Sequence, residues 1–390
     1  MSTYVPDING DQHSSDVAAF MQALFKYELA VTTLHPSPPQ EPECPSGWGR
    51  ELLDVCTNVV RILIIAFTNI TYISWDFAEY CRDCKWSSLG CGGNIQREEE
   101  ILRRWPPQYS PTVQVDEPRV FADPSGRIIT WILPSIIPPH YQDKLHQAVC
   151  ILGPSLTKKF HRPEESGSWR TDSAYFEPDN NYISTGLANL SAAWYMAGHK
   201  SPPHTTPFLQ RPEGHTFLSV ARDPFAVVSG ILAITHPQQY KMAKEMKDSM
   251  IASGDCKEAL GRWPMVFTAI SVITNRESPF HRDLHESWKW FDFLLSFGPY
   301  RHAPLYLANL GVRVNNPPGT ICIFGGRALW HGVRRVSPRV TLALYMRKNI
   351  QKELGIQSAS WMTQHEYNSY IGSKRHNIRR RMPKDTTPLA

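Results

Sequence analysis

The chain has 390 residues, of which 42% are hydrophobic, including 12 Trp, 15 Tyr and 16 Phe, enough for one large or two ordinary domains with a substantial core. Its net charge of +5 is too small to predict a polyanionic partner by itself, and eight cysteines without a basic and apolar leader argue against a secreted protein. The most apolar run, residues 62–75, is too short to span a bilayer, so we interpret it as a buried helix or strand. We therefore expect a protein of a reducing intracellular compartment with no membrane partner.

The first 50 residues are polar and punctuated by proline, as in the stretch HPSPPQEPECPSG. They carry six acidic and two basic side chains, and we expect residues 1–50 to be mobile apart from a short helix near Val17–Leu29. An N-terminal extension is expected to follow at residues 51–125.

Cysteines in this extension raise the possibility of a structural metal. Cys81-x2-Cys84 followed by Cys91 resembles half of a zinc site, because closely spaced thiolates chelate one tetrahedral ion. A fourth ligand would come from Cys56, from Cys44 or from a distant histidine. The alternative is a set of ordinary buried or free thiols.

A change in the hydrophobic pattern marks the start of the main domain, which we place at residues 126–350. The segment RIITWILP predicts a short strand that ends at a proline, and PPHYQDKLHQAVCIL has apolar residues at helical spacing. After a loop region rich in Ser, Pro and Gly at residues 153–215, His236 and Pro237 open another predicted helix. A C-terminal extension is expected at residues 351–390.

The later part of the main domain has the pattern of short strands separated by Gly and Pro turns. The predicted strands are Met265–Thr274, Trp290–Phe297, Pro304–Leu307, Gly311–Val314, Thr320–Phe324 and Val340–Arg347. Alternation with a period of two in such segments favours an antiparallel barrel or sandwich. The helices that precede it would cover its outside, which places the fold in the α+β class.

Three side chains in this strand region have the chemistry of a metal centre. His281 and Asp283 are two residues apart, so their side chains share one face of an extended chain. His331 follows a predicted strand and a Gly-Gly corner that can bring a third ligand across the barrel. Two imidazoles and one carboxylate on one face of a metal are associated with Fe(II) oxygenases, because three coordination positions stay open. The rival pairing of His281 with His285 on a zinc-hydrolase helix needs a glutamate where this chain has Arg282.

A basic residue on the last predicted strand completes the pattern. Arg339 and Thr341 point to the same side of this strand, whereas Val340 and the next alternating residues face outward. A guanidinium fork suits the distal carboxylate of 2-oxoglutarate, and the threonine hydroxyl adds one hydrogen bond. Asn275 or Arg276, just ahead of the metal motif, is a further candidate for binding this co-substrate.

The stretch from Ser271 to Lys348 resembles the TET/JBP family of 2-oxoglutarate- and Fe(II)-dependent nucleic-acid base dioxygenases. The residues that carry the resemblance are HRDLHES at 281–287, LLSFG at 294–298, LGV and PPGT within 310–320, LWHGV at 329–333 and PRVTLALYMRK at 338–348. The resemblance implies a double-stranded β-helix core of jelly-roll or cupin-like type. It implies the cofactors Fe(II), 2-oxoglutarate and O2, and oxidation of a methyl group on a base flipped out of duplex DNA.

By the same resemblance, His281, Asp283 and His331 match the iron ligands, and Arg339 with Thr341 matches the clamp for the co-substrate carboxylate. Two positions depart from the animal members, which read the flipped cytosine with Asn and His where this chain has Glu286 and Arg347. Both are candidate substrate-binding residues. A glutamate accepts a hydrogen bond from the exocyclic amine of cytosine or of adenine, so 5-methylcytosine and N6-methyladenine both remain open. An extended strand places Arg347 roughly 26 Å from Arg339, so it reaches the same pocket only where the chain bends.

Methylated DNA is therefore the expected partner, and the nucleus is the expected location. Residues 371–384 carry six basic side chains and no acid, which suits phosphate binding or nuclear import. Candidate stacking contacts to an unstacked base are Trp169, Tyr175, Phe176, Trp288, Trp290 and Tyr300. Two alternatives stay open, a 2-oxoglutarate hydroxylase of a protein or small molecule and a non-catalytic DNA-binding barrel.

Overall fold

The computed structural model describes residues 9–85, 95–156, 169–195, 203–254, 256–283 and 287–370, without the side chains of 368–370. Within these ranges the chain forms two β-sheets and a set of surrounding helices. The strands are β1 (Ile70–Tyr72), β2 (Val113–Val115), β3 (Arg119–Ala122), β4 (Ile128–Leu133), β5 (Gly186–Leu190), β6 (Ala269–Thr274), β7 (Ser278–His281), β8 (Asp292–Phe297), β9 (Leu305–Leu307), β10 (Val312–Val314), β11 (Thr320–Phe324), β12 (His331–Val333) and β13 (Val340–Tyr345). The helices are α1 (Gly10–Thr32), α2 (Arg50–Thr68), α3 (Phe77–Cys84), α4 (Ile95–Arg104), α5 (Pro139–Leu152), α6 (Pro212–Val220), α7 (Arg222–Thr235), α8 (Pro237–Ser253), α9 (Lys257–Arg262), α10 (Lys348–Glu353) and α11 (Gln364–Tyr370).

The larger sheet has eight strands in the order β1-β3-β4-β11-β8-β13-β6-β5, and the smaller has five in the order β2-β10-β9-β12-β7. Neighbouring strands are antiparallel except at β1–β3 and β2–β10, which are parallel. This is the predicted α+β fold, a double-stranded β-helix core flanked by helices. The strand pattern was predicted best at Thr320–Phe324, whose bounds agree with β11, while the other predicted strands are longer than the observed ones.

The central strands of the larger sheet bury both faces. On β13, Val340, Leu342 and Leu344 pack on the side of the helices, as the alternation predicted. On β11, Ile321 also joins the helix-side core, whereas Cys322 joins a second core cluster that includes strands of both sheets. Successive side chains point to opposite faces of a strand, so each central strand contributes to two hydrophobic layers.

The short helix expected near Val17–Leu29 lies within a longer helix of 23 residues, Gly10–Thr32. Its apolar face packs on α7 so closely that a Cβ added at Gly230 would lie 2.3 Å from the Met21 sulfur. At one end of α1, Asp11 forms a 2.7 Å ion pair with Lys247 of α8, whose side chain is buried. The spacing of the apolar residues on one face outweighs the polar composition of the segment.

The expected boundaries at 125/126 and 350/351 do not separate structural units. Strands β1 and β3, from the expected N-terminal extension, belong to the larger sheet, and β2 belongs to the smaller one. In the expected C-terminal extension, the Met362 carbonyl accepts a 2.9 Å hydrogen bond from the Ile128 amide, and Tyr367 lies in the core. Three-residue strands carry too little alternation to be recognised from sequence.

No single helix in the described ranges is both long and apolar enough to cross a membrane, although the bent pair α6 and α7 meets those two criteria when taken together. All residues of α7 from Pro224 to Thr235 are buried inside the protein. The basic segment at residues 371–384 lies outside the described residues.

Candidate metal centre and co-substrate pocket

Two histidines meet across neighbouring strands of the smaller sheet. His281 is the last residue of β7 and His331 the first of β12, and the two are direct partners in the antiparallel register. Side chains of directly opposed residues project from the same face of a sheet. The centroids of the two imidazole rings are accordingly 4.2 Å apart.

The Asp283 carboxylate lies between the two imidazoles. Its oxygens are 3.7 Å from Nε2 of His281 and 3.8 Å from Nε2 of His331. One ligand atom from each of the three residues lies within 4.8 Å of the others, and no other His, Cys, Asp or Glu group in the described ranges is arranged in this way. The predicted metal-ligand candidates are thus brought together.

Gly326 makes room for this carboxylate. A Cβ added at Gly326 would lie 2.5 Å from Oδ2 of Asp283, so a larger side chain would displace the carboxylate. The Gly326 carbonyl also accepts a 3.0 Å hydrogen bond from the Asp283 amide, and its own amide donates to Asp292 at 3.0 Å. Gly326, the second glycine of the Gly-Gly corner, therefore positions Asp283 in two ways. Its carbonyl binds the Asp283 amide, and its lack of a side chain leaves room for the carboxylate.

Backbone carbonyls select the tautomer of both histidines. Nδ1 of His281 is 2.8 Å from the Pro279 carbonyl, and Nδ1 of His331 is 2.9 Å from the Leu329 carbonyl. A carbonyl only accepts, so in each ring Nδ1 carries the hydrogen and Nε2 presents its lone pair toward Asp283. This arrangement is typical of metal-binding histidines.

The charge state of the three groups suits a divalent cation. Burial and the neighbouring His331 lower the pKa of His281 to about 3, and burial lowers the pKa of His331. Burial alone would raise the pKa of Asp283, but both imidazoles and Arg170 outweigh burial, and its pKa lies below the ordinary value. At neutral pH the site therefore presents two neutral imidazoles and one carboxylate, which are the protonation states that metals bind.

Arg170 was not predicted as a site residue, yet its Nη2 donates to Oδ1 of Asp283 at 2.7 Å. The neighbouring Trp169 ring lies 4.6 Å from the His281 ring and has Arg170 and Arg276 at 4.8 and 4.9 Å from its centroid. Arg170 lies in a short helical turn 113 residues before Asp283, so no spacing in the sequence connects them.

Arg339 is buried, with 2% of its surface exposed, and lies directly before β13. Its Nη2 donates to the Arg276 carbonyl, but its Nη1 is buried without a hydrogen-bond partner in the protein. Burial lowers the pKa of this guanidinium to about 10, which still leaves it charged at neutral pH. A buried donor of this kind needs an acceptor, and an anion is the acceptor that a guanidinium prefers.

Asn275 was a candidate for binding the co-substrate, but its side chain is bonded within the protein. Its side-chain amide donates to Thr185 and Ile183, while its Oδ1 accepts from the Arg339 amide at 3.0 Å and from Ser337. All four hydrogen-bonding positions of the amide are therefore used within the protein. With φ of 51°, Asn275 is also in the left-handed region, which Asn tolerates better than most residues. It supports the backbone of Arg339 and has no group left for a co-substrate.

Thr341 shares its surroundings with two residues that were not predicted for this pocket. Its hydroxyl lies 3.2 Å from that of Ser296 on the neighbouring strand β8. Burial raises the pKa of the Tyr300 hydroxyl, and Arg339 partly opposes this shift. Arg339 therefore has the Tyr300 hydroxyl near it, whereas Tyr300 was considered only as a stacking residue. Trp290, another stacking candidate, lies in the core.

The donor set fits Fe(II) and 2-oxoglutarate. His281, Asp283 and His331 would hold the metal, and Arg339, with an unpartnered buried donor, would hold a carboxylate. Arg276 connects the two, because its carbonyl accepts a hydrogen bond from Arg339 and its guanidinium donates to the Arg170 carbonyl at 3.2 Å. Burial and the charges of Arg170 and Arg339 lower the pKa of Arg276 to about 9. Three guanidinium groups in this neighbourhood favour an anion with more than one negative charge.

The remaining predicted residues do not join this group. Arg347 lies beyond the far end of β13, where its guanidinium approaches the rings of Trp194 and Tyr345, at 6.0 and 5.8 Å. The straight strand between Arg339 and Arg347 does not bend back. Glu286 lies outside the described residues.

The zinc hypothesis has no support among the described cysteines. Cys56 belongs to one core cluster and Cys81 with Cys84 to the other, and Cys91 lies outside the described residues. Burial raises the pKa of Cys56 to about 12 and also raises those of Cys81 and Cys84, so these groups are protonated thiols. Zinc binds the thiolate form.

The fold and the site together define a 2-oxoglutarate- and Fe(II)-dependent dioxygenase. Residues 191–348 match the Tet_JBP family model, described as the oxygenase domain of the 2OGFeDO superfamily. This segment contains all three metal-ligand candidates and Arg339, and the family of the matching model is the one that the motifs predicted.

Among solved structures, the chain matches NgTET1 in complex with 5mC DNA, at 13% identity and a TM-score of 0.44, covering 77% of this chain and 92% of that one. A dioxygenase for auxin oxidation from rice matches at 15% identity and a TM-score of 0.24, covering 57% of this chain and 74% of that one. No curated protein matches the chain.

Proposed function

We propose that this protein oxidises the methyl group of a methylated base in DNA, with Fe(II), 2-oxoglutarate and O2. His281, Asp283 and His331 are the proposed metal ligands, and Arg339 with Thr341 is the proposed anchor for the co-substrate. The observation that carries the proposal is the convergence of three ligand atoms within 4.8 Å in a domain that also buries an unpartnered guanidinium donor.

When bound, the ferrous ion supplies the oxidative chemistry at the substrate methyl group. The protein supplies two neutral Nε2 atoms and one carboxylate on a single side, and such a facial set leaves positions for co-substrate and oxygen. The Nδ1 hydrogen bonds to Pro279 and Leu329 keep both imidazoles oriented with Nε2 toward the side on which the metal would be held.

Arg339 gives the co-substrate its orientation. The buried guanidinium donates charge-assisted hydrogen bonds to the distal carboxylate, and the Thr341 hydroxyl adds a further donor. Asn275 holds the Arg339 backbone in place through both its amide and its side chain.

A DNA base is the proposed substrate because residues 191–348 match the Tet_JBP oxygenase family model and because the side of the site around Trp169 combines an aromatic ring with guanidinium groups. Rings of this kind stack on unpaired bases, and guanidinium groups attract phosphates. A base must leave the duplex to reach the site, which costs a few kcal/mol and is offset by pocket contacts. Glu286, three residues after Asp283, is the proposed reader of the base edge.

The basic segment at residues 371–384 is proposed to bind DNA phosphates and to direct the protein to the nucleus. Removing it should weaken binding to all duplexes alike and flatten the salt dependence of binding. Unchanged affinity for DNA would reject the phosphate-binding role, and unchanged nuclear location in cells would reject the import role.

The experiment that tests the function incubates the purified protein with Fe(II), 2-oxoglutarate and duplex oligonucleotides that carry 5-methylcytosine, N6-methyladenine or no mark. Mass spectrometry of the nucleosides and of succinate gives the result. We expect succinate together with an oxidised base in at least one marked duplex. Succinate release without base oxidation would favour a hydroxylase of another substrate, and absence of both would favour a non-catalytic barrel.

A further inference from the structure

Arg282 lies between two of the proposed metal ligands, and its side chain points away from them. Its guanidinium donates to both carboxylate oxygens of Glu98 on α4, each at 2.8 Å. The two side chains are only 6% and 3% exposed, so this is a buried, two-pronged ion pair. Successive side chains of an extended chain point to opposite sides. The side chain of residue 282 therefore points away from those of residues 281 and 283.

The same guanidinium also contacts the segment that carries the third ligand. Nη1 of Arg282 donates to the carbonyl of Ala328, three residues before His331. The Tyr80 hydroxyl donates to this carbonyl as well, at 2.6 Å, and the Tyr80 ring lies 5.7 Å from the Arg282 guanidinium. Four groups therefore meet behind the metal centre, and we call Glu98, Arg282, Tyr80 and the Ala328 carbonyl the rear network.

The Ala328 segment is itself a tight turn. The amides of Ala328 and Leu329 both donate to the Gly325 carbonyl, at 2.9 and 3.1 Å. The Leu329 carbonyl in turn holds Nδ1 of His331. A shift of Ala328 is therefore passed on to the imidazole of His331 through the turn.

We infer that the rear network is a positioning device that sets the distance between the His281–Asp283 pair and His331. This inference rests on the metal centre proposed above. A single guanidinium that belongs to one ligand-bearing segment and donates to the other makes their separation depend on one rigid planar group. Neither Arg282 nor Glu98 touches the proposed ligand atoms, so neither is a catalytic residue.

A general stabilising role accounts for this arrangement less well. A buried ion pair contributes little more to folding than well-packed apolar side chains of the same size. The ion pair instead fixes an orientation, because a guanidinium bound to a carboxylate through two hydrogen bonds has one preferred geometry. In this orientation the Arg282 guanidinium binds both Glu98 and the Ala328 carbonyl.

The test measures anaerobic Fe(II) binding by calorimetry in the wild-type chain, in Glu98→Gln and in a matched control. The control is Asp11→Asn, the same acid-to-amide change at a carboxylate that pairs with buried Lys247 on the helical side. We expect Glu98→Gln to weaken Fe(II) binding about 10- to 100-fold, as for other supporting residues of metal ligands. Asp11→Asn should lower the melting temperature without a change in Fe(II) affinity.

Equal Fe(II) affinities in wild type and Glu98→Gln would overturn the inference, as would an equal loss in both variants. A wild-type chain that takes up no Fe(II) would instead remove the metal centre itself, so the two failures are distinguishable. If Glu98→Gln does not fold, Tyr80→Phe provides the test, because it deletes only the hydroxyl that donates to Ala328. A several-fold loss of Fe(II) affinity in Tyr80→Phe with an unchanged circular dichroism spectrum supports the inference, and unchanged affinity overturns it.

Discussion

The metal-ligand candidates lie at the rim of the smaller sheet, whereas Arg339 lies beside a central strand of the larger sheet. His281 ends β7, the terminal strand of its sheet, and the Asp283 side chain is 31% exposed. Arg339 is 2% exposed and precedes β13, which has β6 and β8 on its two sides.

The two regions therefore maintain their geometry by different means. At the rim, short strands give few backbone hydrogen bonds, and side-chain and carbonyl contacts supply the rest of the support. In the larger sheet, Arg339 is held by strands of six residues and by Asn275, whose side-chain amide has all of its hydrogen bonds within the protein. Changes at the rim should thus alter metal binding, and changes at Arg339 should alter co-substrate binding.

Asp283→Ala gives the largest expected effect, because it removes the only charged ligand from the rim. Loss of metal-based stabilisation, several kcal/mol, corresponds to a drop in succinate formation on the order of 10³-fold. The measurement is succinate release at saturating 2-oxoglutarate. Asp248→Ala, at a surface carboxylate that is 64% exposed, is the control and should retain activity. Turnover by Asp283→Ala at the wild-type rate would break the assignment of the metal centre.

Arg339→Met tests the other side of the comparison. It deletes the buried donor while keeping much of the side-chain volume, and hydrogen bonds to charged groups contribute about 1.5–3 kcal/mol each. The KM for 2-oxoglutarate should rise about 10- to 150-fold while the Fe(II) affinity stays the same. If Arg339→Met weakened Fe(II) binding as much as 2-oxoglutarate binding, the two regions would not act separately.

Gly326→Ala should affect the rim alone. The added methyl group would lie 2.5 Å from Oδ2 of Asp283, so the carboxylate has to move. We expect the Fe(II) affinity to fall about 10-fold or more, with little change in the KM for 2-oxoglutarate. Gly153→Ala is the control, since its nearest neighbour would be the Ser184 hydroxyl at 3.9 Å. Unchanged Fe(II) affinity in Gly326→Ala would show that the carboxylate has more room than the structure gives it.

The smallest expected effect is a pH dependence of stability in the metal-free protein. The pKa of His281 is lowered to about 3 and that of His331 is also lowered, so below pH 6.5 the unfolded chain binds more protons than the folded one. The free energy of unfolding should therefore decrease as the pH falls from 7.5 to 5.5, by about 1 kcal/mol for His281, and His331 contributes in the same direction. Urea titrations at both pH values measure this slope, which His281→Asn should reduce. An equal slope in that variant would contradict the assignment.

The sequence was sufficient where chemistry and spacing occurred together. His281, Asp283 and His331 were predicted from residue type and strand pattern, and they meet in the structure. Arg339 was predicted to face inward from alternation, and it is buried. Beyond these residues, prediction depended on information that a sequence does not display.

Arg170, which was not predicted, and Asn275, which was predicted as a co-substrate residue, illustrate this limit. Arg170 reaches Asp283 from a loop that is distant in the chain, and nothing in its local sequence distinguishes it from a surface arginine. Asn275 was predicted for the co-substrate because of its position, but its left-handed backbone and four internal hydrogen bonds are properties of the folded loop. Long-range contacts and backbone conformation are set by the tertiary fold, which local patterns do not specify.

The charges around Arg276 have a further consequence for the protein before its ligands bind. Arg276 is buried, and the charges of Arg170 and Arg339 disfavour its own charge, as its lowered pKa indicates. A small dicarboxylate that enters the pocket relieves this repulsion and binds only the folded state. Diacids should therefore raise the melting temperature even before iron is added, so that ligand screening by thermal shift becomes possible in air.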